Sequence, residues 1–328
     1  MQIWSMQRWP RTTRTLLGSS VVALCVVPLI ACERSTPAAG RKDTVVSATP
    51  PPESTVVVTP VVSAWDSTAG PALFVAGATQ QDAFVIAPRY TDTRALDSIQ
   101  FDPAPIQALH VELFGSGKRL GTARVRTAAG STHTDSCRTW PSAKFEIAPR
   151  DTASTRGWNI GFAAGHAFDV SVDSIEGLAT ADSARLAADI ARLASALPGD
   201  TSAMFRGLPY VVNKAWRMRI PNGPAVLIAV VVRNVNQEAN PRQERILLIA
   251  ERDSAATNGT FTPRYTERTI GLEETLETSD PIAFVLLGAE RHPAVVVARD
   301  AGNGLSYAII ERVGGQWHRG WSSAYAGC

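Results

Sequence analysis

Leu247-Leu248-Ile249-Ala250-Glu251-Arg252-Asp253 turns through Asn258-Gly259 and returns with Tyr265 and Glu267-Arg268. About 45 residues on, Val295-Val296-Val297-Ala298-Arg299-Asp300 turns through Asn303-Gly304 and returns with Tyr307 and Glu311-Arg312. In both copies an apolar strand ends in Arg-Asp, and Asn-Gly supplies two residues that tolerate positive φ, the strongest short-range hairpin signal. The spacing is that of propeller blades, but two copies cannot close a propeller. The expectation is therefore an antiparallel meander over 216–328 built from two related hairpins. Ala225–Arg233, Ile282–Leu287 and Gln316–Trp321 supply its other strands.

Working toward the N-terminus, Asp182 to Leu197 places Leu186, Ile190, Leu193 and Leu197 on one helical face. Arg185, Asp189 and Arg192 fall opposite, at spacings that allow pairing. Thr180 or Asp182 can cap this helix, and Pro198-Gly199 stops it. Before it, Ala72–Val75 and Ala83–Ile86 are short apolar runs bounded by Gly and Pro, the mark of buried strands. Leu109, Val111 and Leu113 alternate with polar residues, as do Gly121, Ala123 and Val125, around the Gly115–Lys118 turn, which predicts a hairpin. Phe145–Ile147 and Trp158–Phe162 read as further strands. The fold class expected is β-rich α+β, mainly antiparallel, with one amphipathic connecting helix near 182–197. Its parts are an N-terminal β-rich lobe over 64–180, a helical connector over 181–215 and the meander over 216–328.

The first 31 residues stand apart. Arg8, Arg11 and Arg14 precede an uncharged, mostly apolar run from Leu16 to Ala31, too short to span a bilayer, and the run ends in Leu29-Ile30-Ala31-Cys32. This segment resembles the signal peptide and lipobox of bacterial lipoproteins. The resemblance implies cleavage before Cys32, acylation of its sulfur and new amine, and a membrane anchor of more than one chain, which holds where a single chain does not. In the family it resembles, Asp after the cysteine favours the inner membrane, so Glu33 implies the outer one, and non-adjacent Arg11 and Arg14 favour the general secretory route. Residues 32–63, rich in Pro, Ser, Thr and Val, then read as a semi-extended tether.

Removing the leader takes three arginines from 32 basic residues against 30 acidic ones, so the mature chain is near neutral and carries no basic footprint for nucleic acid. Only Lys42, Lys118, Lys144 and Lys214 are lysine; the arginine bias reads as genome composition. Of four cysteines, the lipoprotein resemblance implies that Cys25 leaves with the leader and Cys32 is acylated. Cys137 and Cys328 are then expected to form a disulfide in an oxidising compartment, pinning the C-terminal strand to the N-terminal lobe.

Chemistry is sparse. Gly115-Ser116-Gly117-Lys118-Arg119 lacks the first Gly and the closing Ser/Thr of a phosphate loop. No two histidines share metal-ligand spacing, and no cofactor or metal is expected. His133-Thr134-Asp135-Ser136-Cys137 is the densest polar cluster, and alternation would align His133, Asp135 and Cys137. The loop Asn234–Glu244 carries Asn236, Gln237, Glu238 and Asn240 between two strong strands and is a candidate binding edge. In the last strand Trp317, Arg319 and Trp321 share one face by alternation, a stripe that covers a core or stacks a sugar ring. The leading expectation is a lipid-anchored, non-catalytic envelope protein that binds or scaffolds an envelope protein or glycan. A hydrolase near His133 and Asp135 and a glycan-binding module using Trp317 and Trp321 are the alternatives.

Overall fold

The computed structural model describes residues 72–88, 101–132, 137–198, 203–235, 241–252 and 259–328. Among the described residues, seventeen strands and one α-helix are arranged in four layers.

The first layer is a closed antiparallel barrel. Its strands are β1 (Leu73–Ala76), β2 (Asp82–Ile86), β3 (His110–Gly115), β4 (Lys118–Ala129), β5 (Ser142–Glu146) and β6 (Ile160–Ala163), in the order β1-β2-β5-β4-β3-β6. The expected hairpin is β3–β4, with Val111 opposite Ala123 and a bulge after Leu113. Alternation along these strands sends Phe74, Val85, Val111, Leu113, Val125 and Phe145 into the barrel, where Trp158 packs at its end. Rings of Phe74 and Phe145 meet edge-on at 5.4 Å, and the Trp158 indole donates to the Gln80 carbonyl at 3.0 Å.

Two open sheets follow. The first has the order β12-β11-β10-β9-β8, from β8 (Ser171–Ser174), β9 (Val211–Arg219), β10 (Ala225–Val235), β11 (Arg242–Arg252) and β12 (Thr262–Leu272). The second has the order β16-β15-β14-β13-β7, from β7 (Ala167–Phe168), β13 (Thr278–Leu287), β14 (His292–Asp300), β15 (Gly304–Val313) and β16 (Gln316–Ser322), with β17 (Ala326–Gly327) pairing onto β15.

The single meander expected over 216–328 is therefore two. Each repeated hairpin exists, β11–β12 and β14–β15, but they lie in different sheets that pack face to face through Val226, Ile228, Leu247, Ile249, Val295 and Val297. The physical reason is that both sheets are buried on both faces. Leu227, Ala229 and Val231 turn the other way, toward the helix, while Val285, Val296 and Ile309 turn toward the barrel. Strands sandwiched in this way read as unbroken apolar runs, which carry no mark of the sheet or face to which they belong.

The expected lobe boundaries shift for the same reason. β7 and β8, inside 64–180, complete the two C-terminal sheets, and β9 begins at Val211, inside the expected connector. Helix α1 runs Thr180–Ser195, two residues earlier than expected. Its N-cap is Ala179 with no side-chain cap, so neither Thr180 nor Asp182 serves there. Ile190 and Ala194 are its buried residues, with Leu186 and Leu193 packed partly against the first sheet. Asp189 pairs with Arg192 and Asp182 with Arg185, both at i, i+3, rather than Asp189 serving both arginines. No helix among the described residues is long and apolar enough to cross a membrane.

Candidate functional site

Charged side chains buried at the ends of the strands explain the site better than any sequence motif. A carboxylate inside a sheet stack must be matched by donors, because an unpaired buried charge costs far more than a paired one gains. Several carboxylates of the two sheets are matched in this way. Glu244, fully buried, accepts from Arg233 Nε at 2.6 Å and from the Tyr210 hydroxyl at 2.9 Å, with Arg268 at 3.3 Å. The Arg233 guanidinium also lies over the Tyr210 ring at 4.5 Å. Asp280 joins Lys214 at 3.1 Å and Arg245 at 2.7 Å across the two sheets. Glu267 takes Arg299 at 2.6 Å, the Ser279 hydroxyl at 3.2 Å and the Tyr265 hydroxyl. Glu251 takes Arg312 Nε at 2.6 Å and the Trp317 indole N–H at 2.7 Å, with Arg264 at 3.6 Å.

The electrostatics follow from these contacts. Burial pushes the Tyr210 hydroxyl up to about 12, helped by its bond to Glu244, and burial together with Glu267 pushes Tyr265 up as well. Burial also works to raise the Glu267 carboxyl, but the Arg299 and Tyr265 bonds and the Arg299 and Arg319 charges outweigh it and hold the group below its ordinary value. Carboxylates held by two or three donors are counter-ions and structural acceptors.

Glu251 also marks an open cleft. The β9–β10 turn, the exit of β11, the entry of β12 and the end of β15 enclose a volume of about 540 Å³, in which Arg252, Arg264 and Arg312 surround Glu251. Gly223 in that turn is required, because a Cβ there would come within 2.7 Å of the Ile220 side chain. A second cleft of about 700 Å³ adjoins between α1 and the first sheet, sharing Arg252, Gly259 and Thr260 and adding Arg185, Arg192 and Arg217. Arg252 stands between the two, its guanidinium over the Phe261 ring at 4.9 Å. Asp253, next in the chain, lies outside the described residues.

The residues singled out from sequence are dispersed. Cys32, His133, Asp135, Asn236, Gln237, Glu238 and Asn240 all lie outside the described residues. Cys137 and Cys328 sit at bonding distance, with sulfurs 2.16 Å and Cα atoms 4.2 Å apart. The Cys137 sulfur is thus taken, and the His133-Asp135-Cys137 alignment loses its thiol. The candidate loop is shorter than expected. β10 runs to Val235 and β11 begins at Arg242, which makes Glu244 a buried strand residue. The Trp317-Arg319-Trp321 stripe does not form. A bulge between Ile309 and Ile310 sets Arg319 opposite Ile310 and Trp321 opposite Ile309, leaving Gly320 as the extra residue. Trp317 therefore faces the core between the two sheets and Trp321 the core against the barrel, and both are buried. The Trp321 indole donates to the Pro88 carbonyl at 2.8 Å.

Sequence reasoning missed the arginine-lined clefts. Their signal was the choice of 28 arginines over 4 lysines, since the guanidinium fork suits paired and oxyanion-facing positions. Among the described residues no group of three or more His, Cys, Asp or Glu is placed to hold a metal ion. No protein-family model matches the chain, nor does any curated protein or solved structure.

Proposed function

We propose that this is a lipid-anchored protein of the cell envelope, binding or scaffolding a partner from a rigid β body rather than turning over a substrate. The anchor is Cys32, the route is general secretion, and the membrane is the outer one. The observation that supports this reading is the division of the cysteines. With Cys25 in the leader and Cys137 bonded to Cys328, Cys32 is left as the one sulfur for the lipid, and a disulfide suits a compartment outside the cytoplasm. Binding is favoured over catalysis because the acids at the arginine-lined clefts are already bonded to guanidinium groups. The glycan-stacking alternative loses its platform with the burial of both indoles, and the hydrolase alternative loses the Cys137 thiol. Metabolic labelling with an alkyne fatty acid tests the anchor. Wild-type protein should carry the label and pellet with membranes, and Cys32→Ala should do neither. Membrane pelleting without label in both forms would overturn the reading.

A further inference from the structure

We infer that the two adjoining clefts bind a multiply charged oxyanion of the phosphoryl or sulfuryl class, gripped at Arg252. This goes beyond the anchoring reading and does not depend on it.

Charge complementarity carries the inference. Six arginines (Arg185, Arg192, Arg217, Arg252, Arg264 and Arg312) line the two clefts against three carboxylates, Asp182, Asp189 and Glu251. Each carboxylate is already engaged: Asp182 by Arg185 at 2.6 Å, Asp189 by Arg192 at 2.5 Å and Glu251 by Arg312 at 2.6 Å. Asp173 stands 3.7 Å from Arg217. A guanidinium has five N–H donors in a fixed fork, so one carboxylate bond leaves most of them for a second acceptor. The surplus is therefore both positive and rich in donors, and it contains no lysine. Forks of this kind match the paired oxygens of phosphate and sulfate groups in a way that point charges do not.

Shape agrees with charge. The volumes, about 540 and 700 Å³, fall in the range of small-ligand sites. Arg252 belongs to both clefts, so a ligand with two or more anionic groups spans them while sharing one guanidinium. The Phe261 ring beneath that guanidinium holds its plane by cation–π contact and limits the freedom lost on binding. Thr260 lines both clefts and Thr262 one of them, adding hydroxyl donors to the wall.

Calorimetric titration of the full mature chain in detergent with tripolyphosphate tests the site, with a neutral oligosaccharide as control. Wild type should bind tripolyphosphate, more weakly as salt rises, and should ignore the neutral sugar. Arg252→Glu and the milder Arg252→Gln/Arg264→Gln pair should each weaken binding at least about tenfold while leaving the circular dichroism spectrum unchanged. Lys118→Gln, on the barrel, should bind as wild type does. A parallel arm offers vesicles of phosphatidylglycerol or of phosphatidylcholine to the unlipidated Cys32→Ala chain. Arg252-dependent capture by the anionic vesicles makes the ligand a lipid headgroup, and capture by neither makes it soluble. Absence of tripolyphosphate binding at low salt, or equal binding by the Arg252 variants, would overturn the inference.

Discussion

The hairpins β11–β12 and β14–β15 begin from the same short pattern and end in opposite states. Arg252 and Arg299 occupy matching places before an Asp, yet Arg252 faces a cleft and Arg299 is locked onto Glu267 inside the sheet stack. Nine residues separate β11 from β12, and Arg252 before them and Thr262 after them line the cleft. After β14 the chain turns within three residues, with the Asp300 side chain accepting from Gly302 N–H at 2.8 Å. The C-terminal segment then covers that second turn. β17 pairs with Gly304 and Leu305, Cys328 N–H donates to the Asn303 carbonyl at 2.7 Å, and the Tyr325 hydroxyl donates to Asn303 Oδ1 at 2.9 Å. The strand ends of one hairpin line a cationic cleft, and the turn of the other is plugged. The shared residues also interlock the copies, because Glu251 and Glu267 of the first hairpin hold Arg312 and Arg299 of the second. What the repeat encodes is a pair of sheets stapled by each other's charges.

The largest effect should come from releasing the plug. Cys328→Ser removes a crosslink between positions 191 apart and is expected to cost about 4–5 kcal/mol in a denaturant titration. Hydrogen exchange should quicken first around Gly304 and Leu305, while β11–β12 keeps its protection. Equal loosening of both hairpins would erase the contrast drawn above. Breaking a staple comes next. Glu251→Ala leaves the Arg312 guanidinium and the Trp317 N–H without their acceptor at a buried site, with an expected loss of about 3–5 kcal/mol by thermal melting. A loss under about 1 kcal/mol would mean that water replaces the carboxylate and that the sheets do not depend on the pair.

The other staple predicts a pH profile. Because the folded Glu267 is held below its ordinary value, its contribution is present above the unfolded value of about 4.3 and is lost as pH falls through the folded one. Glu267→Gln should flatten the acid limb of the stability curve in that window. Tyr210 and Tyr265 act with the opposite sign. Their raised hydroxyls stabilise the fold below about pH 10, and that stability is lost as the pH climbs further, so Tyr265→Phe should flatten the alkaline limb. The smallest stability effect is expected at the open end. Arg252→Gln should shift the melting free energy by no more than about 0.5 kcal/mol, since the residue faces a cleft. A large loss there would place Arg252 among the staples.

Local order was plain in the sequence wherever one period governed it. The β3–β4 hairpin, α1 and the expected Cys137–Cys328 pair follow from alternation, helical spacing and cysteine count. The sheet to which Leu247 or Val295 belongs did not follow, because residues buried on both faces leave no polar phase to read. Gly320 shows how little is needed to mislead: one bulged residue rotates Trp321 away from Trp317 and dissolves a surface that strict alternation had drawn. The clefts escaped for another reason. Arg252 and Arg264 lie beside Glu251 within the first hairpin, but Arg312 is far along the chain and reaches it only because one sheet packs on the other.

The pairing of β7 with β13 carries a consequence in time. Phe168 and Ala167 meet Leu286 and Leu287, so the second sheet cannot be completed until residues more than a hundred positions apart have found each other. Closing so long a loop costs entropy before any contact repays it, and chains with such distant pairings fold slowly. The β3–β4 hairpin and the β9–β12 meander draw on nearer residues and are expected to close before that pairing. The β7–β13 pairing is expected to set the pace, and a chain still waiting for it would present the apolar barrel-facing row of Val285, Val296 and Ile309 to whatever surrounds it.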